Sequence, residues 1–474
     1  MIAAAESIDI QKVFQAQKQK SWQLKMQSIE ERKQKLQKLH DIILTYDQQI
    51  CQAIHQDFRK AFQETRITEI YPVLSEIKNV IKNLSVWAKP KKVSNSLVML
   101  GTNSYIKPES KGVALIISPW NYPFQLAISP LTYAIAAGNC AIIKPSEMTP
   151  NTSEMIKKMI SEIFDSKEIA VLEGDATLST ELLKLPFDHI FFTGSPQIGK
   201  VVMRAAAEHL TSVTLELGGK SPVVVDQSAN LEITAEKLVW GKFVNNGQTC
   251  VAPDYLLVHE SVKDELLKKI QICIENSYNS QGKGIENSDS YCRIINQRNW
   301  QRIKNLIENA LENGAKIEIG GQIDAKDNFI APTLISEVHL EMKIMQEEIF
   351  APVLPVIAYK NLEEAIEIIV AKEKPLAMYI FSENNENIEL LLQKTSAGGT
   401  CVNDCLIHLG HHELPFGGVN NSGIGKTHGF FGFEAFSNMR AVLKQQTFYN
   451  TFKLFYPPYN FRTKKLVDKL LKWF

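Results

Sequence analysis

The sequence has no excess charge of either sign. Its 474 residues include 52 Lys and Arg and 52 Asp and Glu, which gives a formal net charge of +0. Proteins that bind nucleic acid carry a basic excess that neutralises phosphates. We therefore expect no nucleic-acid partner for this chain.

An uninterrupted apolar run is also missing. A helix that spans a bilayer needs about 20 mostly apolar residues in succession. The most apolar stretch, residues 112–143, is interrupted by Pro119, Asn121, Pro123, Gln125 and Pro130. The first residues of the chain lack the basic segment and apolar core of a secretory signal. The sequence therefore predicts neither a membrane span nor a signal.

Cysteine is scarce and shows no paired spacing. The seven cysteines lie at positions 51, 140, 250, 273, 292, 401 and 405. An odd number without a secretory signal predicts reduced thiols and a cytoplasmic location. Cys401 and Cys405 lack the further Cys or His that a zinc site needs, and His408, His411 and His412 lack partners at metal spacing. We expect no metal site.

Helical stretches and short apolar runs make up most of the chain. Residues 8–60 and 63–87 have the apolar spacing of helices. After them, helices alternate with strand-like runs at 113–117, 140–143, 170–172, 190–192, 213–215, 222–225, 255–258, 375–381 and 399–403. This alternation predicts an α/β fold with a doubly wound parallel sheet and ligands at the carboxyl ends of its strands. The length predicts two or more domains.

A single thiol lies on the polar bend 247–250, before the strand-like run 255–258. A thiol attacks as the thiolate, which polar groups or a helix N-terminus favour. Cys250 is therefore a candidate nucleophile, and the alternative is a buried structural cysteine. Glu216 precedes a Gly-Gly turn and is a candidate general base, with a surface carboxylate as the alternative.

Polar candidates also follow the first predicted strand. Asn121 and Tyr122 lie in the segment 119–124. A side-chain amide can donate to a developing oxyanion, and its loss typically raises the barrier by about 3 kcal/mol. The alternative for Asn121 is a turn residue between two prolines.

Nucleotide-binding candidates follow two later strands. Gly194, Ser195 and Gly199 belong to a Gly-x-x-x-x-Gly pattern that opens a helix, where close backbone approach and the helix N-terminus favour a phosphate. This spacing differs from Gly-x-Gly-x-x-Gly and is a weak signal by itself. Lys144 and Glu147 follow the second strand, and taken alone they indicate a polar loop.

Taken together, these stretches resemble the aldehyde dehydrogenase superfamily over nearly the whole chain. The family's nucleophile motif, Gly-Gln-Thr-Cys, matches residues 247–250, and its base motif, Glu-Leu-Gly-Gly-Lys-Ser-Pro, matches residues 216–222. The phrase Cys-Val-Ala-Pro-Asp-Tyr at residues 250–255 is similar to the shorter class 3 branch of fatty and aromatic aldehyde dehydrogenases.

The resemblance implies a catalytic role for each candidate. Cys250 would attack an aldehyde carbonyl, and Asn121 would stabilise the oxyanion of the resulting thiohemiacetal. Glu216 would activate the water that hydrolyses the later thioester. Tyr122 and Phe416 would line the substrate tunnel. The implied reaction is the oxidation of an aldehyde, apolar aliphatic or aromatic, to the carboxylate.

The resemblance also implies NAD or NADP as cofactor. The residues expected to hold it are Lys144 and Glu147 at the adenosine ribose, Gly194, Ser195 and Gly199 at the diphosphate, and Glu348 and Phe350 at the nicotinamide ribose and ring. The motif that contains the last two has Ala351 where the family usually has Gly. We expect this change to stiffen the loop without abolishing binding.

An aldehyde dehydrogenase-like architecture follows from the same resemblance. It comprises a doubly wound parallel-sheet cofactor domain, an α/β catalytic domain and a β bridging arm that pairs with a second subunit in a homodimer. The expected bounds are 1–88 and 108–216 for the NAD(P)-binding domain, 217–412 for the catalytic domain, 89–107 and 413–447 for the arm, and 448–474 for a C-terminal tail.

The tail ends in a predicted basic amphipathic helix. One helical face carries Leu466, Val467, Leu470, Leu471 and Phe474, with five basic residues and one acidic residue around it. Such a helix can lie on an anionic membrane, or it can dock on protein. The sequence leaves both open.

Two other functions stay open at this point. Coenzyme A in place of water would make the protein an acylating aldehyde dehydrogenase, in which a hydrolytic base at Glu216 would be redundant. A catalytically idle nucleotide-binding relative is the second alternative. The presence of Cys250, Glu216 and Asn121 together argues against it.

Overall fold

The computed structural model describes residues 9–96, 99–448 and 451–473. The described residues form a six-stranded sheet, a seven-stranded sheet, a small three-stranded antiparallel sheet and a two-stranded antiparallel sheet. The predicted α/β fold with parallel sheets is confirmed. Residues 97 and 98 of the predicted arm and Phe474 of the predicted tail helix lie outside the described residues.

The N-terminal region is helical but is divided more finely than predicted. Ser28 starts the second helix, because its hydroxyl accepts from Glu31 N–H at 3.3 Å and its own N–H donates to the Glu31 carboxylate at 2.7 Å. A π-helical turn, Arg66–Ile70, joins the fourth helix to the fifth. The elements are α1 (Ile10–Lys25), α2 (Ile29–Thr45), α3 (Asp47–Phe58), α4 (Phe62–Thr65), α5 (Tyr71–Trp87), β1 (Lys91–Lys92) and β2 (Thr102–Ser110).

The first large sheet is built from alternating strands and helices. These are β3 (Val113–Ile117), α6 (Gln125–Ala137), β4 (Cys140–Lys144), α7 (Pro150–Ile163), β5 (Ile169–Val171), α8 (Ala176–Leu183), β6 (His189–Gly194), α9 (Pro196–Ala207) and β7 (Ser212–Leu217). The strands pair in parallel in the order β7-β6-β3-β4-β5. Alternate residues of β3 enter two hydrophobic cores, one on each face, so helices cover both sides of the sheet.

The second large sheet has the order β10-β13-β14-β9-β8-β15-β16 and is parallel except at β10. Its region contains β8 (Pro222–Val225), α10 (Leu231–Phe243), β9 (Tyr255–His259), α11 (Lys263–Tyr278), α12 (Gln297–Glu312), β10 (Lys316–Ile319), β11 (Ile323–Asp324), β12 (Phe329–Ile330), β13 (Thr333–Ser336), α13 (Lys343–Gln346), β14 (Val353–Tyr359), α14 (Leu362–Val370), β15 (Ala377–Phe381), α15 (Asn385–Lys394) and β16 (Gly399–Val402). Two cores again lie on its two faces.

The C-terminal part of the described chain returns to the earlier elements. It contains β17 (Gly423–Ile424), α16 (Gly429–Ala435), β18 (Ser437–Gln445) and α17 (Phe461–Leu471). β18 pairs antiparallel with all of β2 in the small sheet β1-β2-β18. β17 joins the first large sheet, although its residues lie in the segment predicted for the arm, and it pairs antiparallel with the end of β7. The division into domains stays a prediction.

In the described part of the chain, every helix falls short of the length and apolar character that crossing a membrane requires.

Candidate active site

A cavity of about 910 Å³ lies at the carboxyl ends of β6 and β7. The predicted site residues among its lining are Asn121, Gly194, Ser195, Glu216, Cys250, Glu348 and Phe350. The other five, Lys144, Glu147, Gly199, Tyr122 and Phe416, do not line it. The structure therefore brings together the predicted nucleophile, base and oxyanion donor at one opening, as expected for the carboxyl edge of a parallel sheet.

The loop before Cys250 has an unusual backbone. Asn245 and Asn246 have φ values of 54° and 58°, and Gly247 has a φ of +68°. Asparagine and glycine tolerate this left-handed region better than other residues. A Cβ on Gly247 would also collide with the carbonyl of Ala351, so this position requires glycine.

Buried side-chain amides fix this loop to the segment 292–295. The side-chain amide nitrogen of Gln248 donates to the Arg293 backbone carbonyl at 3.0 Å. The side-chain carbonyl oxygen of Gln248 accepts from Ile295 N–H at 3.0 Å. The Asn246 amide donates to the Cys292 carbonyl at 2.6 Å. Since these groups are buried, breaking one bond would leave a polar atom unsatisfied, and the loop is held firmly.

Asn121 and Tyr122 contact the same loop. The Asn121 amide donates to the Gln248 carbonyl at 3.0 Å, and the Asn121 carbonyl accepts from the Asn245 amide at 2.8 Å. The Tyr122 hydroxyl lies 2.8 Å from the Thr249 hydroxyl. Both side chains are buried, so the segment after β3 and the thiol loop form one packed unit.

Cys250 is half-buried at the cavity wall. Burial raises the pKa of its thiol well above the usual value, and the charges of Glu348 and Glu216 raise it further. The backbone N–H groups of Cys250 and Val251 act in the opposite direction. The resting thiol is therefore protonated near neutral pH, and an attack by Cys250 needs a proton acceptor.

Glu216, the second-last residue of β7, is among the residues that line the cavity, and both oxygens of its carboxyl group are buried. Neither carboxyl oxygen has a hydrogen-bond partner among the described residues. Burial raises the pKa of Glu216 well above its usual value, while the nearby Lys426 ammonium lowers it. A carboxyl group with a raised pKa and no partner is available to exchange a proton with a molecule in the cavity.

The N-terminus of α9 opens on the same cavity. The Ser195 hydroxyl accepts from Ile198 N–H at 3.4 Å and starts the helix. The neighbouring Thr193 hydroxyl is buried without a hydrogen-bond partner among the described residues. At Gly199, a Cβ would collide with Leu217, so glycine lets α9 pack closely on β7. This arrangement fits an anionic diphosphate, which a helix N-terminus binds.

Lys144 and Glu147 lie together at the end of β4. The Lys144 ammonium is buried and lies 2.6 Å from the Glu147 carboxylate, which is partly exposed. The pair is therefore preformed at the carboxyl edge of the sheet, although neither residue lines the cavity.

Glu348 and Phe350 reach the cavity from the loop before β14. The Glu348 carboxyl lies so close to Gly218 that a Cβ there would collide with it. Burial, together with the Asp254 charge, raises the pKa of Glu348 to about 8, against the lowering effect of a hydrogen bond from Gly219 N–H. The Phe350 ring, on a backbone with φ 52°, packs edge-on against Trp120 at 5.4 Å between centroids.

Phe416 lies outside this cavity, on the side of the catalytic core. Its ring stacks on His428 with centroids 4.9 Å apart and planes tilted by 16°. Phe416 packs against the same hydrophobic core as Cys250.

Sequence reasoning missed two residues that hold the Glu348 loop. The Lys220 ammonium pairs with Asp254 and donates to the carbonyls of Ile344 at 2.8 Å and Glu347 at 2.9 Å. The other Asp254 oxygen accepts from Ile349 N–H at 2.9 Å. Lys220 lies in the motif at residues 216–222 and Asp254 in the phrase at residues 250–255. Their places in these two segments are the only sign of a role that the sequence offered.

A third missed residue is Lys426, for which the sequence offered no signal. Its ammonium donates to the carbonyls of Gly417 and Gly418 and lies near Glu216. At Gly417 (φ +145°), a Cβ would lie 3.1 Å from the Glu216 carboxyl, so glycine leaves the base its space. Across residues 9–96, 99–448 and 451–473, no three His, Cys, Asp or Glu side chains form a group that could hold a metal ion.

Comparisons with known proteins agree with one another. The model of the aldehyde dehydrogenase family matches residues 1–442. The 4,4'-diaponeurosporen-aldehyde dehydrogenase of Staphylococcus aureus is 46% identical over 416 residues, which cover 88% of this chain and 89% of that protein. Aldehyde dehydrogenase family 3 member A2 of Macaca fascicularis is 43% identical over 428 residues, with 90% and 87% covered.

Two further matches concern assembly and structure. A protein of Canis lupus familiaris named aldehyde dehydrogenase, dimeric NADP-preferring, is 41% identical over 435 residues, with 92% of this chain and 94% of that protein covered. The solved substrate-bound state of Staphylococcus aureus AldH matches with a TM-score of 0.93 and 42% identity, over 97% of this chain and 99% of that chain.

Proposed function

We propose, from the premise that this chain belongs to the aldehyde dehydrogenase family and to its class 3 branch, that Cys250, Glu216 and Asn121 are its catalytic residues. The enzyme oxidises aldehydes to acids with NAD or NADP. The observation that carries the residue assignment is that a thiol, an unpartnered carboxyl group and a side-chain amide line one cavity.

In the first half-reaction, the Cys250 sulfur bonds to the aldehyde carbon as the thiol proton leaves. A water molecule in the cavity can take that proton, so this half-reaction does not depend on Glu216. The carbonyl oxygen becomes an alkoxide, and the Asn121 amide is the donor proposed to stabilise it. When bound, the cofactor supplies the hydride acceptor that converts the thiohemiacetal into a thioester.

In the second half-reaction, Glu216 takes a proton from water while the water oxygen bonds to the thioester carbon. The carbon–sulfur bond then breaks, the carboxylic acid leaves and Cys250 recovers its proton. The Glu216 carboxyl supports this role, because neither of its oxygens is engaged in a hydrogen bond among the described residues.

The cofactor would lie along the cavity. Gly194 and Ser195 at the start of α9, together with Gly199, would bind the diphosphate, and Lys144 and Glu147 the adenosine ribose. Glu348 and Phe350 would hold the nicotinamide ribose and ring. The buried Thr193 hydroxyl, which has no hydrogen-bond partner among the described residues, and the position of the α9 N-terminus at the cavity support this assignment.

We propose an apolar substrate, aliphatic or aromatic. Tyr122 contacts the residue before the thiol, and Phe416, which stacks on His428, packs against the same hydrophobic core as Cys250, which supports an apolar substrate. A relative named for a 4,4'-diaponeurosporen aldehyde supports the same preference. Turnover of hexanal, benzaldehyde and a short polar semialdehyde would test it, and a preference for the semialdehyde would contradict it.

A homodimer is part of the proposal. A relative at 41% identity is named as dimeric. β18 forms the outer strand of the small sheet, and a largely exposed outer strand can pair with another chain. A cytoplasmic location is proposed as well, because none of the seven cysteines forms a disulfide.

The tail is proposed to contact a membrane peripherally. α17 is a helix whose residues are largely exposed, and it carries basic side chains around an apolar face. Flotation with anionic liposomes tests this, with the full chain compared with a chain that lacks residues 461–474. If neither form floats with the liposomes, the tail is a protein-docking element instead.

The central experiment measures reduction of NAD⁺ and NADP⁺ with the three aldehydes. The wild type is compared with Cys250→Ala and Glu216→Gln. We expect no turnover for Cys250→Ala and a single turnover for Glu216→Gln, because hydrolysis alone is blocked. If no aldehyde reduces a bound cofactor, adding coenzyme A distinguishes an acylating enzyme from an idle relative.

A further inference from the structure

A buried ion pair lies behind the Asn121 segment. Lys60 and Glu69 are both fully buried, and the Lys60 ammonium lies 2.9 Å from the Glu69 carboxylate. Exchanging a buried ion pair for apolar residues of similar volume is often neutral or stabilising. Its presence therefore calls for a reason other than stability, and its contacts supply one.

Glu69 caps the helix that follows Asn121. Its second carboxylate oxygen accepts from Phe124 N–H at 2.9 Å and from Gln125 N–H at 3.3 Å. α6 has no side-chain cap of its own at this end. A carboxylate at a helix N-terminus satisfies free N–H groups and complements the helix dipole. Glu69 thus fixes the end of the segment that carries Asn121 and Tyr122.

Lys60 fixes the side chain of Tyr122. Its ammonium lies 4.1 Å from the centroid of the Tyr122 ring, within the range of a cation–π contact. The Tyr122 hydroxyl in turn lies 2.8 Å from the hydroxyl of Thr249, the residue before Cys250. The Tyr122 ring is therefore held at its face by the Lys60 ammonium and at its hydroxyl by Thr249 of the thiol loop.

Glu64 holds the thiol loop itself. Its carboxylate accepts from Asn245 N–H at 2.9 Å. Asn245 has a left-handed backbone and donates its amide to the Asn121 carbonyl. One short stretch of the N-terminal region thus binds both sides of the site, the Asn121 segment through Glu69 and the thiol loop through Glu64.

The π-helical turn Arg66–Ile70 makes this double contact possible. On an α-helix with 3.6 residues per turn, side chains five residues apart would point roughly 140° apart. A π-helix closes its hydrogen bonds between residues five apart and brings such side chains towards one face. Glu64 and Glu69 are five residues apart, so the π turn lets both reach the active-site segments.

We propose that Lys60, Glu64 and Glu69 are positioning residues that set the Asn121 amide and the Tyr122 ring against Cys250. The proposal deepens the proposed function and rests on its assignment of Cys250 and Asn121. The three residues touch neither substrate nor cofactor. Their loss should slow the formation of the thioester without changing the number of competent sites or the binding of NAD⁺.

The test uses single turnover in the full chain with Glu216→Gln as the parent. In this background each site reduces one NAD⁺ with hexanal, so the amplitude counts folded sites and the rate constant reports thioester formation. The test variant adds Lys60→Met and Glu69→Gln, which remove both charges and keep similar shapes. The control variant adds Lys35→Met and Glu168→Gln. These two residues form an ion pair between α2 and the segment before β5, with 2.6 Å between the Lys35 ammonium and the Glu168 carboxylate.

We expect the test variant to lose about tenfold to a hundredfold in rate constant, because a displacement of about 1 Å at a reacting group can cost about a hundredfold. Its amplitude and its Kd for NAD⁺ should match the parent. The control pair should leave the rate constant unchanged. An unchanged rate constant in the test variant, with or without a lower amplitude, would mean that the pair is structural and would overturn the proposal.

A milder variant covers the case in which the double substitution prevents folding. Glu64 is half-buried, and Glu64→Leu removes the acceptor of Asn245 N–H without leaving an unpaired cation. It should also lower the single-turnover rate constant at full amplitude, and an unchanged value would equally overturn the proposal. If the Glu216→Gln parent itself shows no single turnover, the proposed catalytic assignment fails first, and this proposal fails with it.

Discussion

The loop that carries Cys250 and the strand end that carries Glu216 face the same cavity but are held in opposite ways. Buried amides of Asn245, Asn246 and Gln248 tie the loop to neighbouring segments. The Glu216 carboxyl has no hydrogen bond among the described residues. Gly417, which has no side chain, leaves room beside this carboxyl group.

This difference matches what each group must do in the proposed mechanism. A nucleophile has to present one sulfur atom to one carbon, so a firmly fixed backbone favours it. A base that has to take a proton from a water molecule needs a free acceptor oxygen, so permanent hydrogen bonds to the protein would compete with that step. We therefore expect substitutions at Glu216 to lower turnover more than stability, and substitutions in the Cys250 loop to lower stability as well.

The largest effect is expected for Glu216→Gln. Steady-state turnover should fall by roughly a hundredfold to ten-thousandfold, the usual contribution of a general base. The melting temperature should stay the same or rise, because the carboxyl makes no hydrogen bond and a neutral amide avoids burying a charge. Kinetics and thermal unfolding measured together check this, and a clear loss of stability would contradict the picture of a free carboxyl.

Gln248→Ala should show the opposite pattern. It removes both the donor to Arg293 and the acceptor of Ile295, so the free energy of unfolding should fall by about 2–4 kcal/mol. Denaturant unfolding measures the loss. Gln17→Ala is the matched control, because Gln17 is equally buried and donates to the carbonyls of Ala141 and Ser166. Both should lose stability, but only Gln248→Ala should slow the first turnover.

The pH dependence separates the two groups further. Burial raises the pKa of Glu216, so the carboxylate form becomes populated only above its usual range. Below this pKa, wild-type turnover should rise with pH by up to about tenfold per unit, since the base acts ionised. In Glu216→Gln, the residual hydrolysis after the first turnover should lose this rise. Turnover that falls with pH in the wild type would contradict the assignment.

The smallest effect is expected where the loop meets Ala351. Its backbone is outside the left-handed region, unlike that of Phe350, so alanine fits without strain. Ala351→Gly should lower the free energy of unfolding by about 1 kcal/mol or less through the added freedom of the unfolded chain. Turnover should stay within about twofold, since Glu348 and Phe350 keep their other contacts. A large gain in activity would show that alanine restrains the cofactor loop.

The sequence could predict the parts of the site that depend on local pattern. The run of parallel strands follows from short apolar segments that alternate with helices, and the structure has strands in these segments. Cys250, Glu216 and Asn121 could be found because short motifs surround them. The comparisons confirm the resemblance to the family and the prediction that the cofactor is NAD or NADP.

Contacts between distant segments could not be read from the sequence. Nothing in the local pattern around Lys426 indicates that its ammonium lies near Glu216. The π turn at Arg66–Ile70 escaped notice because apolar spacing of three and four also fits an α-helix through it. The roles of the individual site residues and the domain bounds stay predictions.

The pairing of Gly423 with Glu216 has a consequence for the order in which the enzyme is made. The strand that carries Glu216 gains its outer neighbour only when residues 423–424 have been synthesised. Domains tend to fold from the N-terminus as the chain emerges from the ribosome. The thiol can thus be placed in its loop before the base is enclosed, and the site stays incomplete until that later segment has joined the sheet.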